Sequence, residues 1–463
     1  MAKIFPILDT KNKIATLPIH LLHAKNYAAW LKAQPAHFKQ WLEASQFKAD
    51  AGNYCLLPNK DGTLAGVACG IAETSDVWSI AHLTTALPPK AFHLEGKISA
   101  EQATGLALGW ALAAYRFTRY KKSAKPTAML LAPKGADMAY LKSMCQSIFW
   151  ARDLINTPAN DMKPAALAEE AASWAKKHKA NVTIIKGEAL LKANYPMVYT
   201  VGKAATVAPH LVDIKFPRKG APKITLVGKG VCFDSGGLDI KPTSGMKMMK
   251  KDMGGAACVL ALAKTIIDTK LPVQLRVILP IVENAIAGNA MRPLDIVPTR
   301  KGITVEIGNT DAEGRLILCD ALFEADSETP DLLIDCATLT GAARSALGTE
   351  IPAFFTNDEK LAARVSSASV ALTDPLWRLP LWKNYRKQLD TPNADLSNDP
   401  DSAFGGAITA ALYLQEFVSK TPSWLHIDMM AWNVSGKPGR PQGGEAMAIR
   451  ALYALIREHY GTS

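Results

Sequence analysis

The segment VGKGVCFDSGGLDIKPTSGMKMMKKDMGG, Val227 to Gly255, constrains this 463-residue chain more than any other. It begins at the end of KITLV (Lys223–Val227), a short β-branched run bounded by glycine, which reads as a buried strand. It ends in MGGAACVLALAKTIIDT (Met253–Thr269), an apolar run preceded by Asp252, which reads as a helix with an acidic cap. Strand, polar loop and helix in that order form the repeating unit of an α/β sheet, and such sheets place their sites at the carboxyl ends of strands. Lys229 and Asp234 are therefore expected on the loop just beyond the strand. Gly236 and Gly237 let that loop turn sharply or approach a ligand closely.

A second piece, NTDAEGRL (Asn309–Leu316), follows the strand tip Val305–Ile307 and leads into a helix over Arg315–Ala325. Together the two pieces offer Lys229, Asp234, Asp239, Lys241, Asp252, Asp311, Glu313 and Arg315. Asp311 and Glu313 are two apart, so on an extended segment both carboxylates point to one face. Carboxylates at this density suit hard or borderline divalent cations held by oxygen. Asp234, Asp252, Asp311 and Glu313 would neutralise two dications. A lysine among them serves either as a neutral amine ligand, its pKa lowered by burial beside metal charge, or as a cation aimed at substrate. Each residue alone has a plainer reading: an Asp before a helix caps it, Gly-Gly turns the chain, and an Asp-rich loop is a set of turns. The full phosphate-loop pattern is absent. The joint spacing favours the metal site, with Asp239 left as a solvated turn residue.

These two blocks resemble the leucyl aminopeptidase (cytosol aminopeptidase) family of di-metal exopeptidases. NTDAEGRL stands unaltered as that family's signature, and VGKG-x-x-FDSGG-x-x-I-K followed by K-D-M-G-G-A-A matches without insertion or deletion. The resemblance is specific from about Arg152 onward and rests on position and length over the N-terminal third. It implies Lys229, Asp234, Asp252 and Glu313 as ligands of one divalent ion, and Asp234, Asp311 and Glu313 as ligands of a second, with Mn or Zn as the metals. It implies Lys241 as the cation that stabilises a developing oxyanion, and Arg315 as the holder of a bicarbonate ion that relays a proton. Met249, Thr338, Leu339 and Gly341 would line a pocket for leucine-like first residues. The resemblance further implies peptide substrates and a homohexamer. One departure stands out: Gly443–Met447 reads GGEAM where better-known members carry a GATG- or GMTG-type loop. Glu445 there is either an acceptor for a basic first side chain or a surface or helix-capping residue. His426 reads as structural, since the family has no histidine ligand.

The expected fold is α/β with two domains. Residues 1–150 form a smaller N-terminal α/β domain ending in a linking helix, and residues 151–463 a larger catalytic domain with a central mixed β-sheet flanked by helices. In the first, NKDG joins the strands Tyr54–Leu57 and Leu64–Ile71 in a hairpin, Trp78–Leu83 is another strand, and Ala100–Phe117 a helix. In the second, strands are expected at Asn181–Lys186, Met197–Val201, His210–Phe216, Val273–Val282, Asp331–Thr340 and Trp424–Met429.

Composition narrows the setting. Hydrophobic content of 48% and charged content of 21% are ordinary for a soluble globular chain, and no run approaches the ~18–20 apolar residues of a membrane helix. MAKIFPILDTKNK lacks the apolar core and cleavage site of a secretory leader. The seven cysteines are scattered without C-x-x-C spacing, which fits free thiols in a reducing cytoplasm. Of the net charge of +11, residues 1–150 carry +8, from 17 Lys and Arg against 9 Asp and Glu. A basic third can attract nucleic acid. The cluster Arg116, Arg119, Lys121, Lys122, Lys125 is short and has no accompanying nucleic-acid motif, so a solvated surface is favoured.

Overall fold

The computed structural model describes residues 5–11, 14–72, 76–122 and 126–461; Lys125 of the basic cluster, and residues 1–4 and 12–13 of the N-terminal stretch, lie outside them. The chain divides into two units, residues 1–149 with 435–442, and residues 150–434 with 443–463.

The first unit is built on a six-stranded sheet in the order Ile7–Leu8, Met129–Leu131, Ala91–Glu95, Leu17–Leu22, Leu64–Gly70, Tyr54–Pro58. All pairings are parallel except the last, the hairpin expected around NKDG. The alanine- and leucine-rich helix spans Ala100–Ala113 and starts with a capping box, Ser99 and Gln102 each bonding the other's backbone N–H. Trp78–Leu83 is not a strand. The Asp76 carboxylate accepts hydrogen bonds from Trp78 N and Ser79 Oγ, which winds this stretch into turns ahead of the short helix Leu83–Ala86.

The second unit carries a nine-stranded mixed sheet flanked by helices. Its centre is a parallel run of Trp424–Asp428, Leu332–Ala337, Lys223–Gly228 and Gln274–Asn284. Burial on both faces accounts for the near-continuous apolar character of these strands. Antiparallel strands close both sides: His210–Phe216 and Asn181–Lys186 on one, Ala353–Thr356 on the other, with Trp377–Arg378 at the edge beyond it. Met197–Val201 belongs to a helix, Pro196–Gly202, rather than a strand. Pro196 is preset for a first helical turn, and the buried Asp320 carboxylate accepts a hydrogen bond from Met197 N, so tertiary anchoring overrides the β-prone residues. Met197, Val198 and Val201 then pack in one core with Leu316–Leu322 of the helix Glu313–Ser327. No helix among the described residues is long and apolar enough to cross a membrane.

Candidate active site

The carboxyl ends of the four central parallel strands converge, delivering Lys229, Asn284, Thr338 and Asp428. Lys229 sits between two strands, not on a free loop: Lys223–Gly228 ends just before it, and Gly230–Asp234 continues in parallel with Gln274–Asn284. Its own N–H donates to Cys336 O and its carbonyl accepts from Ala256 N, which fixes the backbone from which the side chain reaches inward. Asp234 closes the second strand after a register shift. Its Oδ1 accepts from Gly236 N and Asn284 Nδ2, both at 2.9 Å. Gly236 and Gly237 have φ of 88° and 69°, a left-handed turn that other residues resist.

Asp252 does not cap the helix Gly254–Asp268. It lies in the 3-10 turn Met249–Met253, and Met253 takes the cap position without a side-chain bond. The carboxylate instead accepts from Thr338 Oγ1 at 2.8 Å. Asp311 and Glu313 are not on an extended segment either: Asp311 is in a turn whose N–H donates to Asn309 Oδ1, and Glu313 is the first residue of its helix. Glu313 joins Asp234 and Asp252, while Asp311 lies outside that group and meets Lys241, which it shares with Asp234. Asp239 is exposed yet acts as a clasp between the two loops, since its Oδ2 accepts from Thr310 N at 2.7 Å and its N–H donates to Thr310 Oγ1 at 2.8 Å.

Asp234, Asp252 and Glu313, exposed by only 1–3%, each place one oxygen within 4.8 Å of the others. Lys229 Nζ lies 2.8 Å from Asp252 Oδ2 and from Glu313 Oε1 and donates to Thr338 O at 3.0 Å. Lys241 Nζ is 2.7 Å from Asp234 Oδ2 and also contacts Asp311 Oδ1. Asp252 Oδ2, Asp311 Oδ1 and Glu313 Oε1 are buried atoms that face these two lysine ammoniums. Burial and the neighbouring Asp234 push the Glu313 carboxyl up to about 8 and that of Asp311 up to about 6. Burial opposes charge on Lys229, but Asp252 and Glu313 outweigh it and hold the ammonium charged. Three buried carboxylates gathered within 4.8 Å, faced by lysine ammoniums, are a donor set that a cation coordinated by oxygen would satisfy, so it fits divalent metal.

The remaining expected residues surround this centre. Arg315 Nη1 donates to Asn398 O at 2.7 Å, while its buried Nε has no partner, a donor free for an anion. Met249 opens the turn that carries Asp252, and Thr338 and Leu339 lead into the helix Gly341–Leu347. Sequence reasoning missed Asn284, which steadies Asp234, and Asp428, which accepts from Leu339 N, Thr340 N and Thr340 Oγ1. A polar residue ending each buried strand was the available signal. It also missed Lys251, a buried lysine pushed down to about 8 by burial, with Asp252 opposing the shift and Arg344 and Lys229 adding to it.

Glu445 takes neither of its expected roles. Its carboxylate is buried and accepts from Arg152 Nε and Nη2 at 3.0 Å each, from Asn433 Nδ2 at 2.7 Å and from Ala446 N at 3.0 Å. Four donors fill it, leaving nothing for a basic substrate side chain. His426 is buried with Nδ1 2.5 Å from Asp335 Oδ1, and Asp335 Oδ2 accepts from Trp424 Nε1. That arrangement is internal to the sheet.

The chain is similar to known proteins over nearly its whole length. The family described as "Cytosol aminopeptidase family, catalytic domain" matches residues 149–453, and "M17 aminopeptidase, N-terminal domain" matches residues 17–133. A probable cytosol aminopeptidase of Rhodopseudomonas palustris (strain BisB5) is 36% identical over 471 residues, covering 93% of this chain and 92% of that protein. The crystal structure of a cytosol aminopeptidase from Coxiella burnetii superposes with a TM-score of 0.94 at 46% identity, covering 98% of this chain and 99% of that one. The bottromycin maturation enzyme BotP in complex with Mn gives 0.87 at 32% identity, covering 96% and 99%. With family models matching residues 149–453 and 17–133 and these relatives matched almost end to end, the chain belongs to the cytosol aminopeptidase family.

Proposed function

We propose that this chain is a metal-dependent aminopeptidase that hydrolyses the first peptide bond of peptides with leucine-like N-terminal residues, turning peptides over in the cytoplasm as a homohexamer. The observation that carries the reading is the cluster of buried carboxylates from Asp234, Asp252 and Glu313 beside Lys229, one oxygen of each within 4.8 Å of the others. Two divalent ions, Mn or Zn, would be held by these groups with Asp311 and with Lys229, whose proton the metal charge would displace, and would supply Lewis-acid polarisation of the scissile carbonyl and acidify a water.

The chain's own residues do the rest. Burial opposes charge on Lys241, but Asp234 and Glu313 outweigh it, so a cation stands ready for the oxyanion as it forms. Arg315, tethered at one arm by Asn398 O, has an unpartnered Nε that would hold bicarbonate, which would supply a proton relay to the leaving amine. Met249, Thr338, Leu339 and Gly341 bound the first side chain, and Thr338 also holds Asp252 in place. Glu313→Gln and Asp252→Asn tests the assignment. Both variants are expected to fold and to lose peptide cleavage; undiminished turnover in either contradicts it.

A further inference from the structure

The strands Leu17–Leu22 and Ala91–Glu95 lie side by side and parallel in the first unit's sheet, with His20 directly opposite Glu95 and Pro18 opposite His93. Successive side chains of a strand alternate between faces, so His93 and Glu95, two apart, share one face, and His20 joins them from across the pair. His20 Nδ1 lies 2.9 Å from Glu95 Oε2, and His93 Nε2 lies 3.5 Å from Glu95 Oε1. The second spacing is long for a hydrogen bond. It matches the edge of a tetrahedral zinc site, where ligands about 2.1 Å from the metal stand about 3.4 Å apart. The other ring nitrogen of His93, Nδ1, is 3.0 Å from Thr16 Oγ1. A ligating histidine commonly gives its second N–H to a fixed acceptor, which turns the lone pair of the first nitrogen toward the metal. The His20 ring packs against Trp30, 5.2 Å between centroids. Burial holds that imidazole below the usual histidine range, with Glu95 opposing and His93 adding to the shift, so the neutral form that binds metal is favoured. Ion pairing alone would need both rings charged side by side, which burial and their mutual repulsion oppose.

We propose that His20, His93 and Glu95 form a binding site for a zinc-like divalent ion, which clips the two strands together and keeps one coordination position for water. Imidazole with carboxylate suits borderline cations such as Zn, and three protein ligands plus a water is a coordination that zinc adopts. The site is open rather than closed. Its imidazoles flank the carboxylate, one at each oxygen, whereas Asp234, Asp252 and Glu313 are the only three such ligands among the described residues with their ligand atoms all within 4.8 Å. The half-exposed Glu95 side chain has room to turn and draw the partly exposed ring of His93 onto the ion. His93 also lines a cleft of about 480 Å³ with Asp9, Thr10 and Lys134, which gives the ion a way in. The proposal is independent of the aminopeptidase reading, whose carboxylates lie in the other unit.

The test uses the full-length protein, stripped of metal and dialysed against buffered zinc, with zinc per chain read by atomic emission. The wild type is expected to hold one zinc more per chain than His93→Ala or Glu95→Gln, and all three to cleave leucyl-p-nitroanilide at equal rates. Equal zinc content in the wild type and either variant overturns the proposal. So does a lost zinc that takes the cleavage with it, since the ion removed would then be one at the carboxylate cluster. If the variants do not fold, the Asp252→Asn/Glu313→Gln double variant decides. Zinc held with the carboxylate cluster disabled supports the site, and none overturns it.

Discussion

Lys229 passes directly over Gly314: a β-carbon at residue 314 would lie 2.5 Å from Lys229 Cε and 2.7 Å from its Nζ. The glycine of NTDAEGRL thus has a physical purpose, clearing a path for the lysine that meets Glu313. Gly314→Ala is expected to displace Lys229 and cost about 10–100-fold in metal affinity, the range for groups that orient metal ligands. Calorimetric titration of metal-stripped protein with Mn checks this; affinity equal to wild type would show that Lys229 is not needed at the centre.

The metal-free protein should lose stability as pH rises. Burial and Asp234 raise the Glu313 carboxyl from 4.5 to about 8. A group whose folded pKa is raised contributes stability that is fully present below about pH 4.5 and is lost as pH climbs through about 8. Asp311, raised to about 6, acts in the same direction. Melting temperatures of metal-free wild type and Glu313→Gln across pH 5 to 9 should diverge in favour of the variant, and excess metal should restore the wild type. Parallel curves would contradict this assignment.

Glu445 and Arg152 form a buried pair with side chains 7% and 0% exposed. Removing one partner strands the other's charge, so Arg152→Met or Glu445→Gln is expected to cost about 3–5 kcal/mol in denaturant unfolding. Neither change should create or abolish a preference for Lys or Arg at the first residue. A specificity change at unaltered stability would return Glu445 to the substrate pocket.

The clasp between Asp239 and Thr310 predicts a subtler effect. Asp239→Ala leaves the candidate metal-ligand carboxylates in place but frees Thr310 N and the loop that presents Asp311. Metal affinity should fall by about tenfold, the lower end for groups that position ligands, with little change in melting of the metal-free protein. No change in affinity would return Asp239 to an ordinary surface residue.

The candidate site was legible because its residues lie close together in the sequence. Lys229 to Asp252 and Asp311 to Arg315 sit in two short blocks, and the strand and helix that bracket each follow from glycines and apolar runs. What escaped was set by distant partners. Glu445 meets an arginine 293 positions away, so no window around GGEAM reveals that its charge is spent. Met197–Val201 has the β-prone residues of a strand, yet Asp320, 123 positions on, accepts from Met197 N and holds it in a helix. Asp252 looked like a cap because helix starts commonly carry one; Lys229 and Thr338, which claim its oxygens, come from other strands. Trp78–Leu83 failed for a nearer reason, the Asp76 turn.

The most direct test is cleavage of leucyl-p-nitroanilide by metal-stripped protein before and after Mn or Zn is returned, with the N-acetylated compound in parallel. The account predicts no turnover without metal, recovery on adding it, and inert N-acetyl substrate throughout. Turnover that persists in the stripped protein, or equal cleavage of the acetylated compound, would contradict it.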